Sequence, residues 1–230
     1  MKNFIKYLKI SPFVFLLMSF FSCDNEERER NPVENSEASV KESGDNNQKT
    51  IIFFGNSLTA GYGLDPSEAF PALISEIIDS LNIDYQVINA GVSGETTAGG
   101  NSRVDWILKK PVDVFVLELG ANDGLRGIPV AETKRNLQAI IDKVHTKYPE
   151  AKIVLAGMQI PPNMGKKYAE TFKEIYPDLA KGNNIPLIPF LLRDVGGEAK
   201  FNQEDGIHPT AEGQHIVAAN VWEVLKDVVN

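Results

Sequence analysis

Apolar residues along this chain fall in two rhythms. Continuous runs, Ile51-Ile52-Phe53-Phe54 before Gly55, Val112 to Leu119 and Ile153 to Ala156, suit strands buried on both faces. Tyr85-Gln86-Val87-Ile88-Asn89 and the short stretch Pro186 to Phe190 read as two more strands. Between them the spacing turns helical. Asp65-Pro66-Ser67-Glu68 is a helix-start signal, with Pro near the first position and an acid three residues past the cap. Phe70, Leu73, Ile74, Ile77, Ile78 and Leu81 follow at intervals of three and four. A second helix ends near Lys110. Pro129 opens a third, with Leu137, Ile140, Ile141, Val144 and Tyr148 on one face. Residues 166–181 read as helix interrupted by Pro177, and after Pro209 a last helix carries Val217, Val221, Val224 and Leu225. Buried strands alternating with helices imply βαβ units and an α/β fold with a parallel sheet covered on both faces. Ligands in such folds sit beyond the carboxyl ends of the strands.

Ahead of this domain, at 50–230, the pattern differs. Lys2, Lys6 and Lys9 precede an apolar run from Ile10 to Phe21, which meets Ser22 and Cys23. The run is shorter than the 18 or so residues of a spanning helix. A basic start, a short apolar run and a small residue describe a secretory signal over 1–22. The lone cysteine at the expected cut resembles a bacterial lipoprotein signal, whose cysteine is lipidated, although Phe20 and Phe21 depart from its usual residues. Ordinary secretion with an incidental thiol is the alternative. Residues 23–49 hold almost no apolar side chains and read as a flexible acidic tether. Asp24-Asn25-Glu26-Glu27 resembles surface-export signals of some lipoproteins, and reads equally as solvated linker charge. The expected location is the cell envelope, periplasmic or outer-surface side, with a membrane partner through a lipid anchor at Cys23.

Composition narrows the chemistry. The chain carries a formal charge of −8, made more negative when a leader with three lysines leaves. That argues against a nucleic-acid partner. One cysteine forms no intramolecular disulfide, and with three histidines no Cys/His zinc cluster is available.

The chemistry-bearing residues cluster in four loops. Three follow strands: Gly55 to Gly63, Asn89 to Thr97, and Gly120 to Gly124. The fourth, Asp205-Gly206-Ile207-His208-Pro209, precedes the last helix. A serine hydroxyl needs a base to take its proton, and the base works best when a carboxylate orients it. Asp205 and His208 sit close enough for one loop to present both groups. Ser57 stands just past a strand end, where a tight turn exposes a hydroxyl. The amides of Ser57 and Gly94 and the side-chain amide of Asn122 are candidate donors for an oxyanion. Ser93 is a rival serine, but Gly91-Val92-Ser93-Gly94 lacks the Gly-x-Ser-x-Gly spacing. Asp123 reads as a turn or capping residue, Arg103 and His145 as surface residues, and His215 carries no assigned role. Glu118 is out of place in an apolar strand, and either faces the edge of the site or bonds locally. Gly61-Tyr62-Gly63 lacks the Gly-Lys-Ser/Thr ending of a phosphate loop.

These four blocks resemble those of the SGNH (GDSL) hydrolases, which supply Ser, Gly, Asn and His in that chain order. Ser57, Gly94, Asn122 and His208 match them, with Asp205 as the aspartate of the last block. Within the family, GNSLTAGYGL, NAGVSGETTAGG, LELGANDGLRG, LAGMQIPPNMG and DGIHPTAEG look like the arylesterase, acyl-CoA thioesterase I and lysophospholipase L1 branch. The resemblance implies a flavodoxin-like αβα sandwich with five parallel strands in order 2-1-3-4-5. It also implies hydrolysis of small-molecule or lipid esters and thioesters through an acyl-enzyme, with no metal and no cofactor. One residue departs from the pattern: the block usually reads Gly-Asp-Ser-Leu, and position 56 is Asn. Asn keeps the size and the acceptor, loses the charge and gains donors, so tuning of the loop or of the pH profile is expected rather than loss of activity. Carbohydrate O-deacetylation is a second enzymatic reading, and a non-catalytic acyl-binding lipoprotein a third.

Overall fold

A computed structural model describes residues 48–230. The expected signal at 1–22, the lipidation candidate Cys23 and tether residues 24–47 lie outside the described residues. Five strands, β1 (Lys49–Gly55), β2 (Tyr85–Gly91), β3 (Val114–Glu118), β4 (Lys152–Ala156) and β5 (Leu187–Ile188), form one parallel sheet in the order β2-β1-β3-β4-β5. The helices are α1 (Ser57–Ala60), α2 (Phe70–Ser80), α3 (Thr97–Ile107), α4 (Ala121–Leu125), α5 (Val130–Lys147), α6 (Lys166–Lys173), α7 (Ile175–Asn183) and α8 (Ala211–Val229). The pair α2 and α8 pack together, and α3, α5 and α7 form a second group around α5. The sheet lies between these two layers, the α/β sandwich expected from the sequence.

The continuous apolar runs owe their form to this sandwich. Ile51 to Phe54 in β1 and Val114 to Leu117 in β3 are buried throughout, because each strand has neighbours on both edges and helices on both faces. Phe53 meets Phe70 of α2 edge-on with ring centroids 5.4 Å apart, and Phe54 packs on Phe115 at 5.3 Å. Burying each such side chain contributes about 1.5–3 kcal/mol. The register sets Gly55, the last residue of β1, beside both Gly91 and Glu118, so three loops start at one level.

Several boundaries differ from the sequence reading. The signal at Asp65–Glu68 starts a separate 3-10 turn (Pro66–Glu68) with a complete capping box, and α2 begins afterwards at Phe70. Leu81 lies past the end of α2 and is exposed. The 166–181 helix breaks at Glu174, three residues ahead of Pro177. A proline ring collides with the carbonyl four residues back, here Lys173, so the chain turns there and Pro177 falls in the first turn of α7. Strand β5 shrinks to two residues because Pro186 and Pro189 flank it and have no N–H for the ladder.

Candidate active site

The turn after β1 is built around Asn56. Its side-chain oxygen accepts the N–H of Leu58 at 2.9 Å and caps α1, with Ser57 as the first helical residue. Gly61 closes this single turn in the left-handed region. The helix is therefore only four residues long, and the Ser57 side chain emerges at the carboxyl end of β1, an interior strand.

The last loop approaches from the other side. His208 Nε2 lies 2.9 Å from Ser57 Oγ, and His208 Nδ1 lies 2.6 Å from Asp205 Oδ2. The second oxygen of Asp205 accepts the backbone N–H groups of Ile207 at 2.8 Å and His208 at 3.0 Å. One carboxylate thus fixes both the ring and the peptide that carries it. The hydrogen bond from the His208 ring, joined by those two amides, pulls the Asp205 carboxyl down to about 2. Gln203 steadies the loop base, donating its amide to the carbonyls of Tyr62 and Pro209.

The second and third loops are tied together. Asn122 Nδ2 donates to the Glu95 carbonyl at 3.0 Å, and Arg126 donates to the Gly94 carbonyl at 3.0 Å. Gly94 has φ +79°, a conformation that strains any residue with a Cβ. Asp123 is fully buried and accepts from the backbone N–H and hydroxyl of Thr97 and from Thr133, so it joins the start of α3 to α5 and is not part of the Ser57–His208 chain. Arg103, expected as a solvated or salt-bridged surface residue, is salt-bridged and mostly covered. It makes a two-pronged ion pair with Glu95, donates to the Ala90 carbonyl and lies 4.1 Å over the Phe54 ring. Ser93 is exposed, and His145 and His215 lie on α5 and α8, outside the cleft.

Ser57, Asn122 and His208 open on a cleft of about 420 Å3. Most of its other walls are apolar, among them Leu58, Leu125, Met158, Ile160, Phe190 and Leu192, beside the polar Asn56, Gln159 and Asn202. This is the size and character of a small-molecule site. Gly94 belongs to the loop held by Asn122 and Arg126 and does not line the cleft. Among the described residues no group of three or more His, Cys, Asp and Glu side chains is placed to hold a metal ion.

Two residues of the site were not legible as such. Tyr62, noted only as part of a glycine-flanked turn, stacks on His208 with centroids 4.5 Å apart. Glu118 bonds to the β1–α1 turn, about sixty residues earlier in the chain: it accepts from Asn56 N–H (3.1 Å), Asn56 Nδ2 (2.7 Å) and Thr59 Oγ1 (2.8 Å). Burial outweighs these donors and pushes its carboxyl up to about 7.

A hydroxyl, an imidazole and a carboxylate joined end to end on a parallel sheet make the constellation of a serine hydrolase. The chain belongs to the GDSL-like Lipase/Acylhydrolase family, whose model matches residues 53–216, and is an acyl hydrolase of that type. It is 40% identical over 183 residues to "Esterase TesA" of Pseudomonas aeruginosa, covering 79% of this chain and 90% of that protein. It is 38% identical over 182 residues to "Thioesterase 1/protease 1/lysophospholipase L1" of Escherichia coli K12, covering 79% and 85%. Among solved structures, the psychrotrophic esterase EstA from Pseudoalteromonas sp., inhibited by monoethylphosphonate, superposes with TM-score 0.74 at 32% identity, covering 78% of this chain and 98% of that one.

Proposed function

We propose that this chain is a serine esterase of acyl esters and thioesters, of the aryl-ester, acyl-thioester or lysophospholipid kind, held at the cell envelope by a lipid on Cys23. Ser57 Oγ attacks the substrate carbonyl as His208 Nε2 takes its proton, and Asp205 keeps the ring oriented and balances its charge. The Ser57 amide and the Asn122 side chain, both at the cleft, donate to the oxyanion; the family resemblance implies the Gly94 amide as a third donor, although its loop here does not line the cleft. His208 then protonates the leaving oxygen or sulfur, and the acyl group stays on Ser57. Water, deprotonated by His208, attacks the acyl-enzyme and releases the acid.

The observation that carries this reading is the 2.9 Å contact of Ser57 and His208 at the mouth of an apolar cleft. Walls of Met158, Ile160, Phe190 and Leu192 suit an acyl chain of several carbons better than a bare acetyl group, which weighs against carbohydrate deacetylation. The names of its relatives supply the range of leaving groups.

The test is turnover of p-nitrophenyl esters from acetate to palmitate by residues 48–230, with Ser57→Ala alongside. Activity is expected to peak above acetate and to fall by roughly 10³-fold or more in the variant. A folded protein without Ser57-dependent turnover would sink the reading. For the anchor, cells expressing the full chain are labelled with palmitate. Label is expected on the wild type and absent from Cys23→Ser, and an unlabelled wild type would leave secretion without an anchor.

A further inference from the structure

Glu118 is a fully buried carboxyl that ester hydrolysis, as described, does not use. It stands beside Gly55 in the adjacent strand. A methyl on Gly55 would run into the Glu118 carboxylate and Thr59 Oγ1, so the glycine makes room for a carboxylate under the nucleophile turn. The three donors that carboxylate receives all come from that turn. The Asn56 amide lies between the carboxylate and the serine with a fixed sense. Its nitrogen end donates to Glu118 Oε1 at 2.7 Å, while its oxygen end accepts from Leu58 N and lies 3.4 Å from Ser57 Oγ. An amide has one donor end and one acceptor end, and both are committed.

We infer that Glu118 is a positioning residue for Ser57, acting through Asn56, and that the order of the pair, carboxylate at 118 and amide at 56, lets the turn stay closed after Glu118 gives up its own proton. The inference rests on the reading of Ser57 as nucleophile. An aspartate at position 56 would set two carboxylates at hydrogen-bond distance in a buried site. Both cannot ionise together, so one proton is held between them, and the turn then closes only while that proton is present. The other groups facing Glu118 do not offset this. Asn56 and Thr59 are neutral. From α7, Tyr176 is a buried phenol held well above its ordinary range by burial and by Glu118 and Asp123. No cation contributes to the Glu118 shift.

The experiment compares wild type, Asn56→Asp, Glu118→Gln and the double variant on a p-nitrophenyl ester from about pH 6 to pH 10. Asn56→Asp is expected to stay within about threefold of wild type at the acid end, and to lose at least a further ~10-fold in kcat/KM as the shared proton leaves on the alkaline side. Glu118→Gln sets its NH2 against either the Asn56 NH2 or the Asn56 backbone N–H, whichever way the amide turns, and is expected to lose about 10-fold or more at every pH. In the double variant the pair is reversed, and the carboxylate now at position 56 accepts both from the amide now at position 118 and from Leu58 N. Activity therefore recovers to within about threefold and the extra alkaline limb disappears. A ratio of Asn56→Asp to wild type that is flat with pH would overturn the inference, as would a double variant no better than Glu118→Gln. If Glu118→Gln does not fold, Asn56→Asp decides alone. Thermal unfolding of Ser57→Ala and Ser57→Ala/Asn56→Asp across the same range separates this inference from the functional reading. The second protein is expected to lose Tm relative to the first only as pH rises, and a constant difference overturns the pairing whether or not the enzyme turns over.

Discussion

Asp205 and Glu118 are carboxyls on opposite sides of the same serine, and their surroundings drive them in opposite directions. Asp205 lies on a loop, with 39% of its side chain exposed, and the His208 ring with two backbone amides pulls it down to about 2. Glu118 lies under the turn with no exposed surface, and burial pushes it up to about 7 against three donors. Hydrogen bonds win where water still shares the solvation, and desolvation wins where the protein must replace it. A carboxylate that must stay charged to orient an imidazole belongs on the loop. One that holds a turn by accepting hydrogen bonds tolerates the interior, with a charge that depends on pH.

Asp205→Ala is the hardest break of this comparison. It is expected to lower kcat by about 10³–10⁴ while Tm falls by only about 2–4 °C, which steady-state rates and thermal unfolding together will show. Glu118→Ala should reverse that pattern. Orphaning Asn56 N, Asn56 Nδ2 and Thr59 Oγ1 is expected to remove about 3–4 kcal/mol of stability, measured by urea unfolding.

The pH dependence of stability sharpens the contrast. A carboxyl raised in the folded state contributes stability fully below the unfolded value of about 4.5, and loses it as pH rises through about 7. Glu118 is therefore expected to withdraw of order 3 kcal/mol across that window, and Glu118→Gln should flatten the curve there. Asp205 acts with the opposite sign. Its contribution is present above about 3.8 and fades as pH falls through about 2, so its effect belongs to acid unfolding. Tyr62→Ala is the mildest change. Losing one stacked ring beside His208, worth about 0.5–1.5 kcal/mol, predicts a drop of roughly 2- to 10-fold in kcat/KM.

What the sequence made legible, and what it did not, follows from the range of the interactions. Strand identity was written in local runs such as Ile51–Phe54, and the four loops followed from short motifs with a fixed place relative to strands. Asp205 and His208 were readable together because three residues separate them. Glu118 showed itself only as a misplaced charge. Its partners lie about sixty residues earlier and meet it only through the register of β1 with β3. Tyr62 and His208 meet through contact between their two loops, where Gln203 donates to the Tyr62 carbonyl. The walls of the cleft come from five separate segments, and no local rhythm marks side chains that converge only after folding. Pro177 was legible as an obstacle, but the break falls at the carbonyl its ring strikes.

The interior place of β1 also bears on how the chain comes to be folded. Its partners β2 and β3 begin only at Tyr85 and Val114, so during synthesis from the N-terminus Ile51-Ile52-Phe53-Phe54 emerges long before either edge of its strand can be covered. Contacts so distant in sequence form slowly, and an uncovered apolar strand is prone to aggregation. Until Val114–Glu118 is available to pair with it, one edge of this apolar strand stays open.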